Sequence, residues 1–247
     1  MYRALIPVTC MNLNDTIEHW LTGAQKSLSP ANRPFVTLSY AQSLDGSIAL
    51  RSSEPMALSG NESLRLTHQL RSMHDGILVG SGTVLSDDPQ LNVRHWTGNN
   101  PQPIVLDSQL RMPSDARLRQ CSEKPCWILT TQESEGPNQD GIEICPSQPG
   151  SDGRVCLKNA LALLYEKGIR HLMVEGGAHV ITAFLKAQLV DAVVITLVPR
   201  IVGGYKAVGD LEINSRVDLP AINPFHSERL GDDLILWGML DYRKGAE

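Results

Sequence analysis

The sequence predicts an α/β domain built on a mixed, mostly parallel central sheet flanked by helices. Two observations carry this prediction. Short apolar runs of strand length, each bounded by Gly, Pro, Asp or Ser, alternate along the 247 residues with amphipathic stretches of helical period. Residues 171–198 also follow the order strand, Gly-rich turn, helix, strand, which implies a right-handed parallel crossover. A chain of this length suits one large domain of this class or two small ones.

The first 30 residues predict a helical extension that precedes the main domain. Apolar residues recur there at helical spacing, at Ile17, Trp20, Leu21, Ala24 and Leu28. Residues 29–34 contain two prolines and an asparagine and are the best linker candidate in the chain. We therefore expect a helical extension over residues 1–30 and the main domain over residues 31–247.

The main domain opens with the strand FVTLSY, which ends before an LDG turn. A capping box formed by Ser59 and Glu62 then predicts a helix of about 13 residues. A second amphipathic stripe begins at Leu157 and stops at Gly168. Further strands are predicted at residues 76–80, 103–107, 126–130, 171–174, 192–198 and 233–240. We expect the last of them to be antiparallel, at or near an edge of the sheet.

Composition argues against several classes of function. The 22 basic and 27 acidic side chains give a net charge of −5, which argues against a nucleic-acid-binding surface. No segment approaches the roughly 20 apolar residues that cross a bilayer, and the N-terminus lacks the features of a secretory signal, so we expect a cytosolic protein without a membrane partner. Five cysteines without a C-x-x-C pair predict reduced thiols, and the histidine spacing predicts no metal site.

Candidate site residues follow the predicted strands, because ligands of open α/β sheets bind at the carboxyl ends of the strands. The segment Gly80, Ser81, Gly82 and Thr83 follows one strand and could direct several backbone N–H groups at a phosphate. A tight turn explains the same residues equally well. The next residues, 83–94, place two carboxylates and an arginine in a loop that contains a proline, and a solvated loop explains these charges about as well as a site does.

Two other strands are followed by polar or glycine residues. Glu175 ends one of them, and Gly176 and Gly177 then open a helix whose N-terminus suits a pyrophosphate, although a simple turn is the more common use of such glycines. After residues 103–106, Asp107, Ser108 and Arg111 supply the carboxylate, hydroxyl and guanidinium that a nucleotide ribose or its 2′-phosphate requires. A turn capped by Asp107 or Ser108 is equally natural.

Taken together, these segments resemble a known family. The relevant runs are FVTLSYAQSLDGSIA, HDGILVGSGTVLSDDPQLNVR, PIVLDSQLRMP and MVEGGAHVITAFL with LVDAVVITLVPRIVGG. They are similar to the pyrimidine reductases of riboflavin biosynthesis, from about Arg33 to the C-terminus. The resemblance implies a dihydrofolate-reductase-like fold. It also implies NADPH-dependent reduction of the ribosylamino side chain of a phosphorylated pyrimidine, an aminouracil or a diaminopyrimidinone, to a ribitylamino group.

The resemblance also implies substrate-binding residues. These are Arg71, Asp87, Leu91, Arg94 and Glu175. Arg94, with Arg71, would hold the substrate phosphate. Either Asp87 or Glu175 would stabilise a cationic imine or relay a proton to it, and the sequence leaves both open as the catalytic carboxylate.

The cofactor-binding residues that the resemblance implies fall into two groups. The cofactor phosphates would lie at Gly80, Ser81, Gly82, Thr83, Gly176 and Gly177. Asp107, Ser108 and Arg111 would lie at the adenosine ribose, where Ser108 and Arg111 would favour NADPH over NADH.

Two departures keep alternatives open. Ser39 stands where the reductase half of bifunctional members usually has a lysine, and the cytidine-deaminase-like zinc domain of those members, with its H-x-E and P-C-x-x-C motifs, is not found here. The alternatives are a reductase of the same fold acting on another pterin-like or pyrimidine metabolite, and a catalytically silent ligand-binding or assembly protein. Residues 192–198 and 233–240, apolar strands near the end of the sheet, predict a homodimer, as does the family resemblance.

Overall fold

A computed structural model of the protein describes residues 11–52, 54, 56–120, 123–132 and 141–242. The helices are α1 (Leu13–Ser27), α2 (Asn61–Ser72), α3 (Ser81–Asp87), α4 (Leu157–Glu166) and α5 (Ala178–Lys186). The strands are β1 (Phe35–Ser43), β2 (Ser47–Ala49), β3 (Gly76–Gly80), β4 (Gln102–Leu106), β5 (Cys126–Thr130), β6 (Ile142–Pro146), β7 (His171–Val174), β8 (Ala192–Val198), β9 (Tyr205–Lys206), β10 (Ala221–Leu230) and β11 (Asp233–Asp241).

Nine of these strands form one sheet in the order β10-β11-β8-β1-β7-β3-β4-β5-β6, and β2 pairs with β9 separately. Neighbours from β8 to β6 are parallel, whereas β11 is antiparallel to β8 and β10 is antiparallel to β11. The predicted α/β class, with a mixed and mostly parallel sheet flanked by helices, is therefore confirmed. Because the parallel strands end at one edge, the segments after β3, β4 and β7 lie side by side.

Both faces of the sheet are covered, because successive side chains of a strand point to opposite faces. On β1, Phe35 is buried in a cluster with residues of α1 and α2. Its neighbours Val36 and Leu38 belong to a second cluster, which contains Leu161 of α4 and Phe184 of α5. This burial fixes α2 on one face and α5 on the other, and both helices carry candidate site residues at one end.

The helix predicted within the first 30 residues is α1, and it packs on the sheet. Ile17 and Leu21 are fully buried in the cluster that contains Phe35. The Asn14 side chain also donates to the Gln69 amide oxygen of α2 at 2.6 Å. The boundary at residue 30 stays a prediction, and residues 1–10 of the extension lie outside the described residues.

Some elements carry no readable sequence pattern. The strand β10 contains Pro224 and exposes most of its side chains at the edge of the sheet, so it shows no apolar alternation. Residues 80–83, for which the sequence left a phosphate-binding segment and a tight turn equally open, are not a tight turn but cap and begin α3. In this short helix only Ser81 and Val84 are buried, which is too few residues for a helical period to show.

Two of the described cysteines agree with the predicted free thiols. Cys145 is buried and Cys156 is half-buried, and both are free, whereas Cys126 is buried beside Trp127. Burial raises the pKa of the Cys145 thiol to about 11. Cys10 and Cys121 lie outside the described residues. Among the helices that the structure describes, none is long and apolar enough to cross a membrane.

Candidate functional site

The segments that follow β3 and β7 meet at the carboxyl edge of the sheet. The backbone N–H of Gly177 donates to Thr83 Oγ1 at 3.2 Å, which joins the start of α5 to α3. A Cβ atom at Gly80 would come within 2.7 Å of Val180 Cγ2, and one at Gly176 within 2.5 Å of Val180 Cβ. These two glycines are therefore required for the close packing of α5 on both segments.

Gly82 has a different environment. It is exposed near the start of α3, and a Cβ atom there would have no neighbour within 4 Å. Packing does not explain this glycine, and the space beside it is open to a ligand.

A buried ion pair joins α2 to the end of β7. Arg71 donates from Nε to Glu175 Oε1 and from Nη2 to Glu175 Oε2, both at 2.7 Å. Burial alone would lower the pKa of Arg71, but the carboxylate of Glu175 outweighs it and the net pKa is raised. Arg71 therefore stays charged, and the two hydrogen bonds fix both side chains at the carboxyl edge of the sheet.

Arg71 also holds the loop that follows α3. Its Nη1 donates to the carbonyl oxygen of Asn92 at 2.9 Å. Asp88 and Leu91 adopt left-handed backbone conformations, with φ of 40° and 50°, so the loop turns sharply at both residues. Leu91 as a whole is only 2% exposed, and its side chain packs in the core.

Arg94 lies on the same loop and has amide partners instead of carboxylates. Its Nη1 donates to Gln90 Oε1 at 3.0 Å and to the Asn92 side-chain oxygen. In the described part of the chain no carboxylate forms an ion pair with Arg94. Burial, and after it the charges of Arg71 and Arg117, lower the pKa of Arg94. Arg94 is therefore held by neutral amides, whereas Arg71 and Arg117 are paired with Glu175 and Asp88.

Open space borders the partners of Arg94. A cavity of about 380 Å³ is lined by Gln90, Leu91, Asn92 and Arg117, among others. Arg117 is held there by Asp88, whose Oδ1 accepts from the Arg117 backbone N–H at 2.8 Å. The side-chain amides that hold Arg94 are therefore accessible from one side of the loop.

The segment after β4 connects to the start of α3. Asp107 is completely buried, its Oδ2 accepts from the Met112 backbone N–H at 2.7 Å, and its Oδ1 lies 4.0 Å from Arg111 Nε. Arg111 Nη2 donates to Ser81 Oγ at 2.8 Å, yet the arginine side chain is 55% exposed. Ser108 Oγ accepts from the Val155 backbone N–H at 3.0 Å. Asp107 and Ser108 thus stabilise the turn, and Arg111 presents its guanidinium to solvent beside α3.

Asp87 is not part of the Arg71–Glu175 cluster. Its side chain is exposed at the end of α3, where Oδ1 accepts from the Ser86 hydroxyl. Among the described residues no hydrogen bond or ion pair joins Asp87 to Arg71, Arg94 or Glu175. The two carboxylates that the sequence left open therefore have different surroundings.

The turn after β1 has a structural role. Asp45 accepts from the Ser43 hydroxyl and from Lys206 Nζ, both at 2.6 Å, and from the backbone N–H of Val202 at 2.9 Å. Hydrogen bonds from Lys206 and then from Ser43 hold the pKa of Asp45 far below its usual value. These contacts tie the turn to the segment before β9.

Sequence reasoning missed one contact of the loop, the bond between His68 on α2 and Arg94. His68 Nδ1 accepts from the Arg94 backbone N–H at 3.1 Å, across 26 residues of sequence. The spacing of His68 and His74 along the sequence indicates only that the two do not share a metal site. In the described ranges no group of three His, Cys, Asp or Glu side chains is placed to hold a metal ion.

Comparison with known proteins identifies relatives of similar sequence. The 2,5-diamino-6-ribosylamino-4(3H)-pyrimidinone 5′-phosphate reductase of Debaryomyces hansenii is 39% identical in an alignment of length 197 that covers 70% of this chain and 78% of that protein. The reductase of the same name from Eremothecium gossypii is 34% identical in an alignment of length 254, gaps included, that covers 96% of this chain and 99% of that protein. The riboflavin biosynthesis protein RibD of Aquifex aeolicus is 35% identical over 209 residues, and the chain spans only 57% of its length.

A solved structure and a family model agree with these relatives. The riboflavin biosynthesis reductase Rib7 of Saccharomyces cerevisiae aligns with a TM-score of 0.76 at 30% identity, over 94% of this chain and 100% of that one. The model of the RibD C-terminal domain matches residues 34–236. The chain therefore belongs to the RibD C-terminal domain family of riboflavin-biosynthesis reductases and is an oxidoreductase, as the sequence resemblance predicts.

Proposed function

We propose that the protein reduces the ribosylamino side chain of a phosphorylated pyrimidine to a ribitylamino group, with NADPH as the hydride donor. Relatives that cover most of this chain are named as a pyrimidinone 5′-phosphate reductase. The observation that carries the proposal is Arg94, a cation held by amides beside the Arg71–Glu175 pair and left without a carboxylate in the part of the chain that is described.

Arg94 supports binding of a phosphorylated substrate. With a net charge of −5, the overall field of the protein does not attract an anion, so recognition must come from local cations. Arg71 is neutralised by Glu175, whereas the charge of Arg94 is available. A charge-assisted hydrogen bond from Arg94 to a phosphate is worth on the order of 1.5–3 kcal/mol.

A nicotinamide cofactor is implied for a reductase of this family, and the residues at the carboxyl edge fit one. The first backbone N–H groups of α3 and α5 have no acceptor inside their helices and suit phosphates, although that of Gly177 is donated to Thr83 Oγ1. Gly82 leaves the space beside α3 open. Arg111 presents an exposed guanidinium where a 2′-phosphate would distinguish NADPH from NADH. When bound, the reduced nicotinamide would supply a hydride to C1′ of the ring-opened sugar in its imine form.

The two candidate carboxylates are suited to different tasks. Both oxygens of Glu175 accept from Arg71, so the charge of Glu175 is balanced and its position is fixed, which suits a group that orients the substrate. Asp87 is exposed and could exchange a proton with solvent and substrate. We therefore propose Glu175 as the orienting group and Asp87 as the proton relay.

A homodimer is the second part of the proposal, and its structural support differs from the sequence argument. The apolar strands β8 and β11 are each paired on both sides, so neither is a free edge. The edge strand on this side of the sheet is β10, where Phe225 is 56% exposed. A ten-residue edge strand of this kind can be covered by a second copy. The cytosolic location and the lack of nucleic-acid and membrane partners stay predictions.

The experiment that tests the function measures oxidation of NADPH by the purified protein with the phosphoribosylamino forms of the aminouracil and of the diaminopyrimidinone. Rapid turnover of either compound, and much slower turnover without the phosphate, is the expected result. Binding without turnover would favour the catalytically silent protein. Neither binding nor turnover would favour a reductase of another pterin-like or pyrimidine metabolite.

A further inference from the structure

His68 is a buried polar side chain that faces the loop of Arg94. It lies on α2 one turn before Arg71, and its side chain is 0% exposed. A buried imidazole is unfavourable unless its nitrogens have partners. Nδ1 has one, the backbone N–H of Arg94 at 3.1 Å, whereas Nε2 has none among the described residues.

The hydrogen bond from Arg94 defines the state of the ring. Because the backbone N–H is the donor, Nδ1 must be unprotonated and the proton of the neutral ring must be on Nε2. Burial, followed by the charges of Arg71, Arg94 and His95, lowers the pKa of His68 to about 4. The imidazole is therefore neutral at pH 7, and Nδ1 is available there as the acceptor for the Arg94 N–H.

One face of α2 thereby holds the loop at two points. Arg94 N donates to His68, and Arg71, three residues further along the helix, donates to the carbonyl oxygen of Asn92. Between them, Val93 N donates to Asn100 Oδ1 at 2.7 Å. Three successive residues of the loop are thus fixed through their backbone, and the Asn92 side chain in turn holds the Arg94 guanidinium.

Packing alone does not account for a histidine here. An apolar side chain of similar size would fill the same space and would remove the unpartnered Nε2, whose burial is unfavourable. What the apolar side chain would lack is the acceptor for Arg94 N. The benefit of His68 is therefore the position it gives to Arg94.

We propose that His68 is a positioning residue, which fixes the backbone of Arg94 so that its guanidinium meets the substrate phosphate. This inference rests on the proposed function and deepens it, because it adds a residue on α2 that holds the phosphate-binding arginine in position. His68 does not touch the substrate in this proposal, and its whole contribution passes through the bond to Arg94 N.

Three variants test the proposal. His68→Leu removes the acceptor, His68→Asn places an amide oxygen near the position of Nδ1, and His68→Gln places one nearer the position of Nε2. We expect His68→Leu and His68→Gln to raise KM for the phosphorylated substrate about tenfold, which corresponds to one lost hydrogen bond. In these two variants we expect kcat, the Kd of NADPH and the KM of the dephosphorylated analogue to change less than twofold. We expect the KM of His68→Asn for the phosphorylated substrate to be close to that of the wild type.

A second measurement does not depend on turnover. Hydrogen exchange of the Arg94 amide, followed by NMR, should be faster in His68→Gln than in the wild type and slow again in His68→Asn. If His68→Leu does not fold, the comparison of His68→Asn with His68→Gln still tests whether an acceptor at the position of Nδ1 holds the Arg94 N–H. Equal KM changes with and without the phosphate, or no difference between Asn and Gln, would overturn the proposal for His68. Failure of the wild type to turn over the phosphorylated compounds would instead overturn the proposed function.

Discussion

Arg71 and Glu175 are 104 residues apart in sequence, yet their side chains meet through two hydrogen bonds of 2.7 Å each. The contact joins the last turn of α2 to the carboxyl end of β7, and Arg71 extends it to Asn92 of the loop. Both side chains are nearly buried, at 11% and 15% exposure. Removal of either partner therefore leaves a charge in a poorly solvated place.

The first prediction concerns the stability of this pair. Glu175→Leu leaves Arg71 unpaired and should lower the free energy of unfolding by about 3 kcal/mol. The double variant with Arg71→Met removes both charges and should regain most of that stability, but not the activity. Urea unfolding of Glu175→Leu, Arg71→Met and the double variant measures the three free energies of unfolding. As a matched control, Glu143→Leu breaks the more exposed pair with Lys167 and should cost less than about 1 kcal/mol. Strictly additive losses in the double variant would contradict the prediction.

The second prediction concerns the substrate phosphate. Arg94→Ala should lower kcat/KM for the phosphorylated substrate by about 10- to 150-fold, the equivalent of 1.5–3 kcal/mol, mainly through KM. NADPH binding and turnover of a dephosphorylated analogue should change little, because Arg94 acts on the phosphate alone. Steady-state kinetics with both compounds measures the difference. Equal losses for the two compounds would mean that Arg94 supports the loop or the ring instead.

The third prediction concerns the choice of cofactor. Arg111→Ala should weaken NADPH binding by roughly 1.5–3 kcal/mol and leave NADH binding nearly unchanged, since only NADPH carries the 2′-phosphate. Titration of both dinucleotides by fluorescence or calorimetry gives the two affinities. Arg229→Ala, at the exposed end of β10, is the control and should affect neither. An equal loss for NADH would show that Arg111 does not face the 2′-phosphate.

The fourth prediction concerns pH and stability. Burial lowers the pKa of His74 from 6.5 to about 4 in the folded protein. Between these values the unfolded chain binds more protons than the native one, so stability falls as pH is lowered from 6.5 towards 4. The slope is at most roughly 1.4 kcal/mol per pH unit for this group.

The matched variant for this test is His74→Asn, which can still donate to the carbonyl oxygen of Leu70 as the ring Nδ1 does. It should be less stable than the wild type at pH 7 but should lose less stability on acidification. Urea unfolding at several pH values between 7 and 5 provides the two curves. Parallel curves would exclude His74 as a source of the pH dependence.

The fifth prediction concerns assembly. Sedimentation at micromolar concentration should show a dimer, and Phe225→Glu at the exposed edge strand β10 should shift it towards a monomer. Leu85→Glu, which changes another exposed apolar residue, on α3, is the control and should leave the dimer intact. A wild-type monomer would contradict the prediction.

By itself, the sequence was enough to predict the fold class and the strands with an apolar run. Strands such as β3 and β8 are buried along their length, so their composition alone predicts them. The order of the motifs along the chain was also enough to identify the resemblance to the pyrimidine reductases of riboflavin biosynthesis. The strand β10 was not predictable, because an exposed edge strand needs no apolar alternation.

Only the tertiary structure decided which candidate residues meet. It joins Arg71 to Glu175 and Arg94 to His68, turns the Leu91 side chain into the core, and explains Gly80 and Gly176 by their contact with Val180. It leaves Asp87 exposed at the end of α3. The physical reason is that the apolar periodicity of a segment shows only which side of that one helix or strand is buried. Contacts between residues 26 or 104 positions apart depend on the order of strands in the sheet, which no local pattern contains.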